Sequence, residues 1–233
     1  MASVRPILFS MALAFVAIGP SGTTWAQSQA PATSKLYGEI ALTTDSIEHG
    51  ISTSENSVAL QPEIGYQWAQ ARLGLFGSNV QYPSNTESLN LRPTAWYRIL
   101  INANIDLKAE YQLDTYFKSA NRNGNILIGD LNLFTHHIIV EQDSNWYATG
   151  TPAYWLAYVK SWKTFWDLDY ELTAGYMLVN ASAYNSYLDV VTGFAYKINE
   201  VWTELLLNYN SNASQFTDGI ATPALFLRLS VKF

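Results

Sequence analysis

The 233-residue chain carries 13 Lys+Arg against 19 Asp+Glu, a formal charge of −6 at pH 7, and this acidic balance argues against a nucleic-acid partner. Cysteine is absent, which excludes disulfides, thiol chemistry and Cys-based metal sites. Aromatic residues reach 14% and charged residues only 14%, well below the ~25% of ordinary soluble domains, so the surface is short of charge for water.

The N-terminus has one positive charge, at Arg5, followed by an apolar run from Ile7 to Ile18 broken only by Ser10. Gly19-Pro20 ends any helix there, and Thr24-Trp25-Ala26 places small side chains at the −3 and −1 positions of a cleavage site after Ala26. Residues 1–26 therefore read as a signal peptide, because the apolar run is shorter than the ~20 residues a spanning helix needs. A short N-terminal segment, 27–35, leads to a single domain, 36–233.

Strands are expected at 36–44, 58–68, 71–80, 89–98, 101–117, 125–133, 138–146, 153–161, 165–178, 187–197, 201–209 and 222–233. The pattern is clearest from Ile101 to Phe117, where Ile101, Ala103, Ile105, Leu107, Ala109, Tyr111 and Leu113 share one parity. Asn102, Asn104, Asp106, Lys108, Glu110, Gln112 and Asp114 share the other, so one strand face is oily and the opposite face hydrophilic. The same period of two runs through 58–68, 166–178 and the final Leu225, Leu227, Leu229, Val231 and Phe233. Pro62 and Pro93 fall inside strands, against the rule that proline avoids central ladders.

Short connections near Ala69-Gln70, Ile99-Leu100, Thr135-His136, Trp162-Lys163 and Asn199 alternate with longer polar ones near 45–57, 81–88, 118–124, 147–152, 181–186 and 210–221. Short turns on one rim and long loops on the other, with an even strand count, predict an all-β fold: a transmembrane antiparallel up-and-down β-barrel of about twelve strands, or ten if Phe134–His137 lies mid-strand. Trp166 and Tyr176 share the oily parity and stand roughly 26 Å apart along the membrane normal, close to the ~25 Å apolar band of such barrels. The competing fold is a soluble β-sandwich with the apolar parity as its core. The export signal, low charge, aromatic richness and terminal Phe233 together favour the barrel.

The stretch Asp45 to Val80, DSIEHGISTSENSVALQPEIGYQWAQARLGLFGSNV, carries Gly50, Ile51, Ser52, Tyr66, Gly74, Ser78, Asn79 and Val80 in an order that resembles the Gcw_chp family of uncharacterised proteobacterial outer-membrane β-barrel proteins. His49 stands where that family usually has Arg, and Phe76 where it often has Trp. The resemblance covers about 35 residues and implies an outer-membrane location, with no activity attached.

Only three histidines are available, His49, His136 and His137, and the adjacent pair is expected at a turn. A hydrolase would need a Ser or Asp partner converging on one of them, and no signature supplies it, so no catalytic residue is assigned. The carboxylate ladders Asp106, Glu110, Asp114 and Asp167, Asp169, Glu171 have oxygen ligands for a hard cation, but no Asp-x-Asp-x-Asp-Gly loop occurs. Lumen Arg72, Arg92, Arg98, Lys108 and Arg228 are expected to pair with them instead, and no metal or cofactor is expected.

The function expected is a narrow passive channel for small solutes with a weak cation preference, since rings of carboxylates favour cations. Its selectivity would rest on Arg92, Arg98, Asp106, Lys108, Glu110, Asp114, Asp167, Asp169 and Glu171. A non-conducting structural or surface-interaction barrel is the alternative, its role carried by loops such as 45–57 and 210–221. The expected partners are outer-membrane lipid and the barrel-assembly machinery, the latter reading Phe233 at the end of the last strand.

Overall fold

The computed structural model describes residues 34–81, 88–118, 120–164, 168–216 and 219–233. The expected signal peptide and most of the segment 27–35 lie outside the described residues, as do Trp166 and Asp167.

Strand β1 runs Lys35–Thr43 and is followed by two short strands, β2 Ile47–Glu48 and β3 Ile51–Ser52. Then come β4 Ala59–Trp68, β5 Ala71–Val80, β6 Ser88–Asn102, β7 Ile105–Tyr116, β8 Gly124–Leu133 and β9 His136–Asp143. The chain ends with β10 Ala153–Lys163, β11 Asp169–Val179, β12 Tyr187–Ile198, β13 Val201–Asn210 and β14 Ala224–Lys232. β2 and β3 form a separate antiparallel pair; every other strand pairs antiparallel with the next in the chain, β1 with β4, and β14 returns to β1 to close a twelve-stranded up-and-down barrel. Closure runs from Thr43 opposite Arg228 to Glu39 opposite Lys232, and reciprocal Gly38–Phe233 backbone hydrogen bonds of 2.8 and 3.0 Å extend it. The Phe233 ring covers Gly38 so closely that a Cβ there would lie 2.4 Å from it, an aromatic filling the space a glycine leaves.

Period two sorts the side chains as the sequence implies. Ile40, Leu42, Ile64, Leu75, Leu107, Val140, Leu156 and Leu205 lie exposed on the outside, a surface suited to hydrocarbon rather than water. Tyr154 and Trp162, both on the outer face of β10, stand roughly 21 Å apart along the axis at a strand tilt of about 40°. Trp162, Tyr170 and Phe194 pack in a row of tilted and edge-on contacts at the short-turn rim, with centroids 4.5 and 5.1 Å apart, and form part of an aromatic girdle.

Several boundaries differ from expectation; β10, for one, runs through Lys163, past the turn expected at Trp162-Lys163. The β6–β7 turn falls at 103–104 rather than 99–100, because β6 continues through Asn102 past an irregularity in register between Leu100 and Asn102. His136 and His137 do not sit at a turn: Phe134, with φ of 63°, and Thr135 make it, and both histidines open β9 on opposite faces.

The prolines mark breaks in the ladder. The Leu60 N–H points toward β5, so the equivalent position at Pro62 would have to donate in the same direction and has no hydrogen to give. Pairing of β4 with β5 accordingly starts only at Glu63 opposite Phe76. Above it, the Asn79 amide bridges the gap, its Oδ1 accepting from Leu60 N at 2.6 Å and its Nδ2 donating to Val58 O at 3.1 Å. At Pro93, the β6–β7 register passes from Leu91–Thr115 to Thr94–Gln112 without pairs between them.

Candidate functional site

The connection between β1 and β4 does not project as a loop. It folds into the barrel as the β2–β3 hairpin, with Ile47 opposite Ser52 and Glu48 opposite Ile51. His49 (φ 48°) and Gly50 (φ 77°) form its two-residue turn, both in the left-handed region that type I′ hairpins require. A Cβ on Gly50 would lie 2.9 Å from Asp189 Cβ, so glycine is demanded both by the turn and by the wall.

Each part of the hairpin is anchored. Tyr187 OH donates to His49 O at 2.9 Å, and the Asn208 and Asn210 amides each reach Gly50 O at 3.4 Å. Ser52 N donates to Ile220 O at 2.7 Å, while Ile51 enters a buried apolar cluster with Trp146, Trp155, Met177, Phe216 and Ile220. At the base, the Asp45 carboxylate accepts from Ser52 Oγ at 2.5 Å and Ser54 Oγ at 3.0 Å. Burial pushes the Asp45 carboxyl up, against the lowering effect of those hydroxyls.

Charge ties the tip to the wall. His49 packs on Trp155 with ring centroids 4.6 Å apart, and its Nε2 lies 3.2 Å from Glu141 Oε1. The contact is an ion pair without aligned hydrogen-bond geometry, since that oxygen has no aligned donor. Burial lowers the imidazole's proton affinity, but the charges of Glu141, Glu48 and Asp189 outweigh it and raise the pKa from 6.5 to about 9. Glu48 meets Arg92 at 3.0 Å, and Arg92 Nε meets Asp114 at 2.5 Å. On the far side, the Trp155 indole donates to Asp189 Oδ1 at 2.7 Å.

Inward-facing residues show where the lumen is shut. On β10, Ala153, Trp155 and Ala157 are buried, Val159 is intermediate and Ser161 is exposed. On β11, Met177 and Gly175 are buried, Thr173 is intermediate and Glu171 is exposed. The barrel is therefore stoppered at the long-loop end and open to water at the short-turn end. Two cavities follow the β4–β7 wall, one of about 200 Å³ against the hairpin and one of about 230 Å³ below it, with Phe76 and Arg92 lining both.

The selectivity candidates do not form one ring. Arg92 and Asp114 lie at the hairpin's level. Lys108 pairs with Glu110 at 3.0 Å and with Asp130 at 3.9 Å further down, where His137 also reaches Asp130 at 3.0 Å. Arg98–Asp106 at 3.3 Å and Lys163–Asp169 at 3.8 Å sit near the open rim, as does Glu171. Arg228 joins Glu39 and Glu204, and Arg72 joins Glu63 with its guanidinium 3.3 Å from the Tyr37 ring centroid. The three histidines contact Glu141, Tyr158 and Asp130. Among the described residues, no group of three or more His, Asp or Glu is placed to hold a metal.

The stretch with the Gcw_chp-like order maps onto the stopper and its seam. Gly50, Ile51 and Ser52 are the hairpin, and Gly74 lies beneath the Tyr37 hydroxyl. Ser78 and Val80 are buried beside the upper cavity, and Asn79 is the bridge to β4. The wall residues Trp155, Gly175 and Asp189 were not singled out by sequence reasoning as a hairpin dock. The one local signal for the hairpin is His-Gly between Ile47-Glu48 and Ile51-Ser52, where a type I′ turn fits.

No family model matches the chain, and no curated protein sequence does. A solved structure from work on the mechanism of in-meso crystallization of membrane proteins matches with a TM-score of 0.54 and 10% identity, over 84% of this chain and 83% of that chain. At that identity the likeness is one of fold.

Proposed function

We propose that the chain is an outer-membrane channel for small solutes whose lumen is held shut at one end by its own β2–β3 hairpin. The observation that carries this reading is the gradient of inward exposure, buried beside the hairpin and exposed at Ser161 and Glu171. A bilayer supplies the environment for the apolar outer face and its girdle, and Phe233, which completes the β1–β14 closure, is the residue offered to the assembly machinery. The similarity of 45–80 to Gcw_chp proteins supports the same location.

Movement of the hairpin would join the two wall cavities to the outside past Arg92. The two cavities are lined by three carboxylates, Glu48, Glu63 and Glu110, and three cations, Arg72, Arg92 and Lys108. Among the described strand residues, however, inward-facing carboxylates outnumber inward-facing Lys and Arg, which supports a weak cation preference once the hairpin is released. Swelling of liposomes containing the protein tests passage. Replacing 46–53 by a short glycine-serine linker is expected to speed swelling in small neutral and cationic solutes, with anions slower. Swelling no faster than in empty liposomes would overturn the channel.

The tightness of the stopper favours one second reading, a barrel that never conducts and serves as a surface scaffold. Under that reading, removing the hairpin leaves permeability unchanged.

A further inference from the structure

Among the described strand residues, the outward-facing positions of the twelve barrel strands hold no Asp or Glu and a single Lys or Arg, Lys160 on β10. It shares the outer face of β10 with Tyr158 and Trp162 and stands two residues, roughly 5 Å along the membrane normal, further from the short-turn rim than Trp162. A charge on the lipid face costs more the deeper it lies, so a lysine placed on the hydrocarbon side of the girdle calls for a counter-charge.

Directly across from Lys160 on β9 is His136, the one described histidine on that face. Its Nδ1 meets the Tyr158 hydroxyl at 2.5 Å, with the two ring centroids 5.7 Å apart. On the rim side, Lys160 Nζ lies 5.5 Å from the Trp162 ring centroid, so the aliphatic stem turns toward the rim and carries the ammonium to the girdle. Trp162 packs on Tyr170 at 4.5 Å, and the Tyr170 hydroxyl accepts from Thr192 Oγ1 at 2.5 Å. Asp169, at the start of β11, faces the lumen instead, where it pairs with Lys163 at 3.8 Å. An ammonium thus sits between an imidazole–phenol pair and an indole, on a face that brings it no acid. A second copy packed wall to wall would present the same acid-free strands, whereas a leaflet supplies phosphate.

We propose that Lys160, walled by His136 and Tyr158 on one side and Trp162 on the other, is the headgroup site for an anionic phospholipid of the leaflet at the short-turn rim. Its phosphate meets the Lys160 ammonium and its acyl chains lie along the exposed Ile138, Val140 and Leu156. The proposal rests on the reading that the outer face meets a bilayer and does not require that the barrel conduct.

The test mixes the full chain, expressed with its leader and purified from membranes in detergent, with equimolar dioleoylphosphatidylglycerol and dioleoylphosphatidylcholine, and counts the retained lipid by native mass spectrometry. Phosphatidylglycerol is expected to be retained about fivefold over phosphatidylcholine, the scale of one lysine beside an anionic headgroup. Lys160→Leu, which puts leucine on a face already rich in it, is expected to bring the ratio close to one, and Lys160→Gln serves if the leucine variant fails to insert. Lys163→Leu removes the same charge from the lumen side of the rim and is expected to leave the ratio unchanged. Equal retention of the two lipids by the parent, an unchanged ratio without Lys160, or an equal loss in Lys163→Leu would overturn the site. Displacement of the lipid by inorganic phosphate would make it an ion site, and a lipid-free dimer lost in Lys160→Leu would make it a contact between copies; either result overturns the proposal. Flotation with vesicles of dioleoylphosphatidylcholine alone separates the two failures: a chain that does not float overturns the bilayer reading and this site with it, while one that floats without preferring phosphatidylglycerol overturns the site only.

Discussion

His49 Nε2 lies 3.2 Å from Glu141 Oε1, so the tip of a hairpin between the first two barrel strands is held by charge to the opposite wall. Around the imidazole stand Glu48 from β2, Glu141 from β9, Asp189 and Tyr187 from β12 and Trp155 from β10, an environment dominated by acids.

This arrangement makes hairpin docking pH-dependent. The folded pKa of about 9 lies above the ordinary 6.5, so the stabilisation is fully present below about 6.5 and is lost as pH rises through about 9. The shift corresponds to on the order of 3 kcal/mol. NMR of histidine-labelled protein, with His49→Gln to assign the resonance, should show one imidazole titrating near 9. Three imidazoles titrating at 6.5 or below would remove the electrostatic tie.

Arg92 is the shared counter-ion of Glu48 and the buried Asp114. Arg92→Leu leaves Asp114 without its counter-charge and is expected to cost about 3–5 kcal/mol, whereas Arg92→Leu with Asp114→Leu recovers most of the loss. Denaturant unfolding in detergent measures both. Equal stability of the single variant and the parent would show that the pair is solvated rather than buried.

Asn79 takes up the Leu60 N–H and the Val58 carbonyl, which lie beyond the β4–β5 pairs that start at Glu63. Asn79→Leu should destabilise the barrel by about 1–2 kcal/mol through two unmet backbone groups at the rim. The loss should be absent when the same change is made with Val58–Leu60 in a sequence that no longer carries Pro62 and pairs normally. Hydrogen exchange at Leu60 reads the local effect, and unaltered protection there would contradict the bridge.

Gly175 leaves room for the Trp155 indole, whose Nε1 would lie 2.0 Å from an added Cβ. Gly175→Ala must therefore displace Trp155 from both Asp189 and His49, at an overpacking cost of about 1–3 kcal/mol. Near-UV circular dichroism should change and the hairpin should become protease-accessible. An unchanged spectrum with a protected hairpin would mean that Trp155 does not support the dock.

The barrel was legible because period two is a local property: each strand declares its oily face without reference to the rest of the chain. The hairpin was not, since β2 and β3 are two residues each and its docking depends on groups as remote as Asn208 and Asn210 on Gly50 O. Parity gave the facing of Arg92, Lys108, Asp106 and Asp169 but not their height, so residues expected as one selectivity set separate into levels with local partners. Pro62 and Pro93 looked like conflicts in the pattern because the sequence does not say which neighbouring strand a missing N–H faces.

The most direct test is single-channel conductance in a planar bilayer, comparing the intact protein with the variant in which residues 46–53 are replaced by a short glycine-serine linker. The stoppered-channel account predicts an intact protein that is mostly silent and a variant that opens in reproducible steps with cation-leaning reversal potentials. Intact protein that conducts as freely as the variant, or a folded and inserted variant that stays silent, would contradict it.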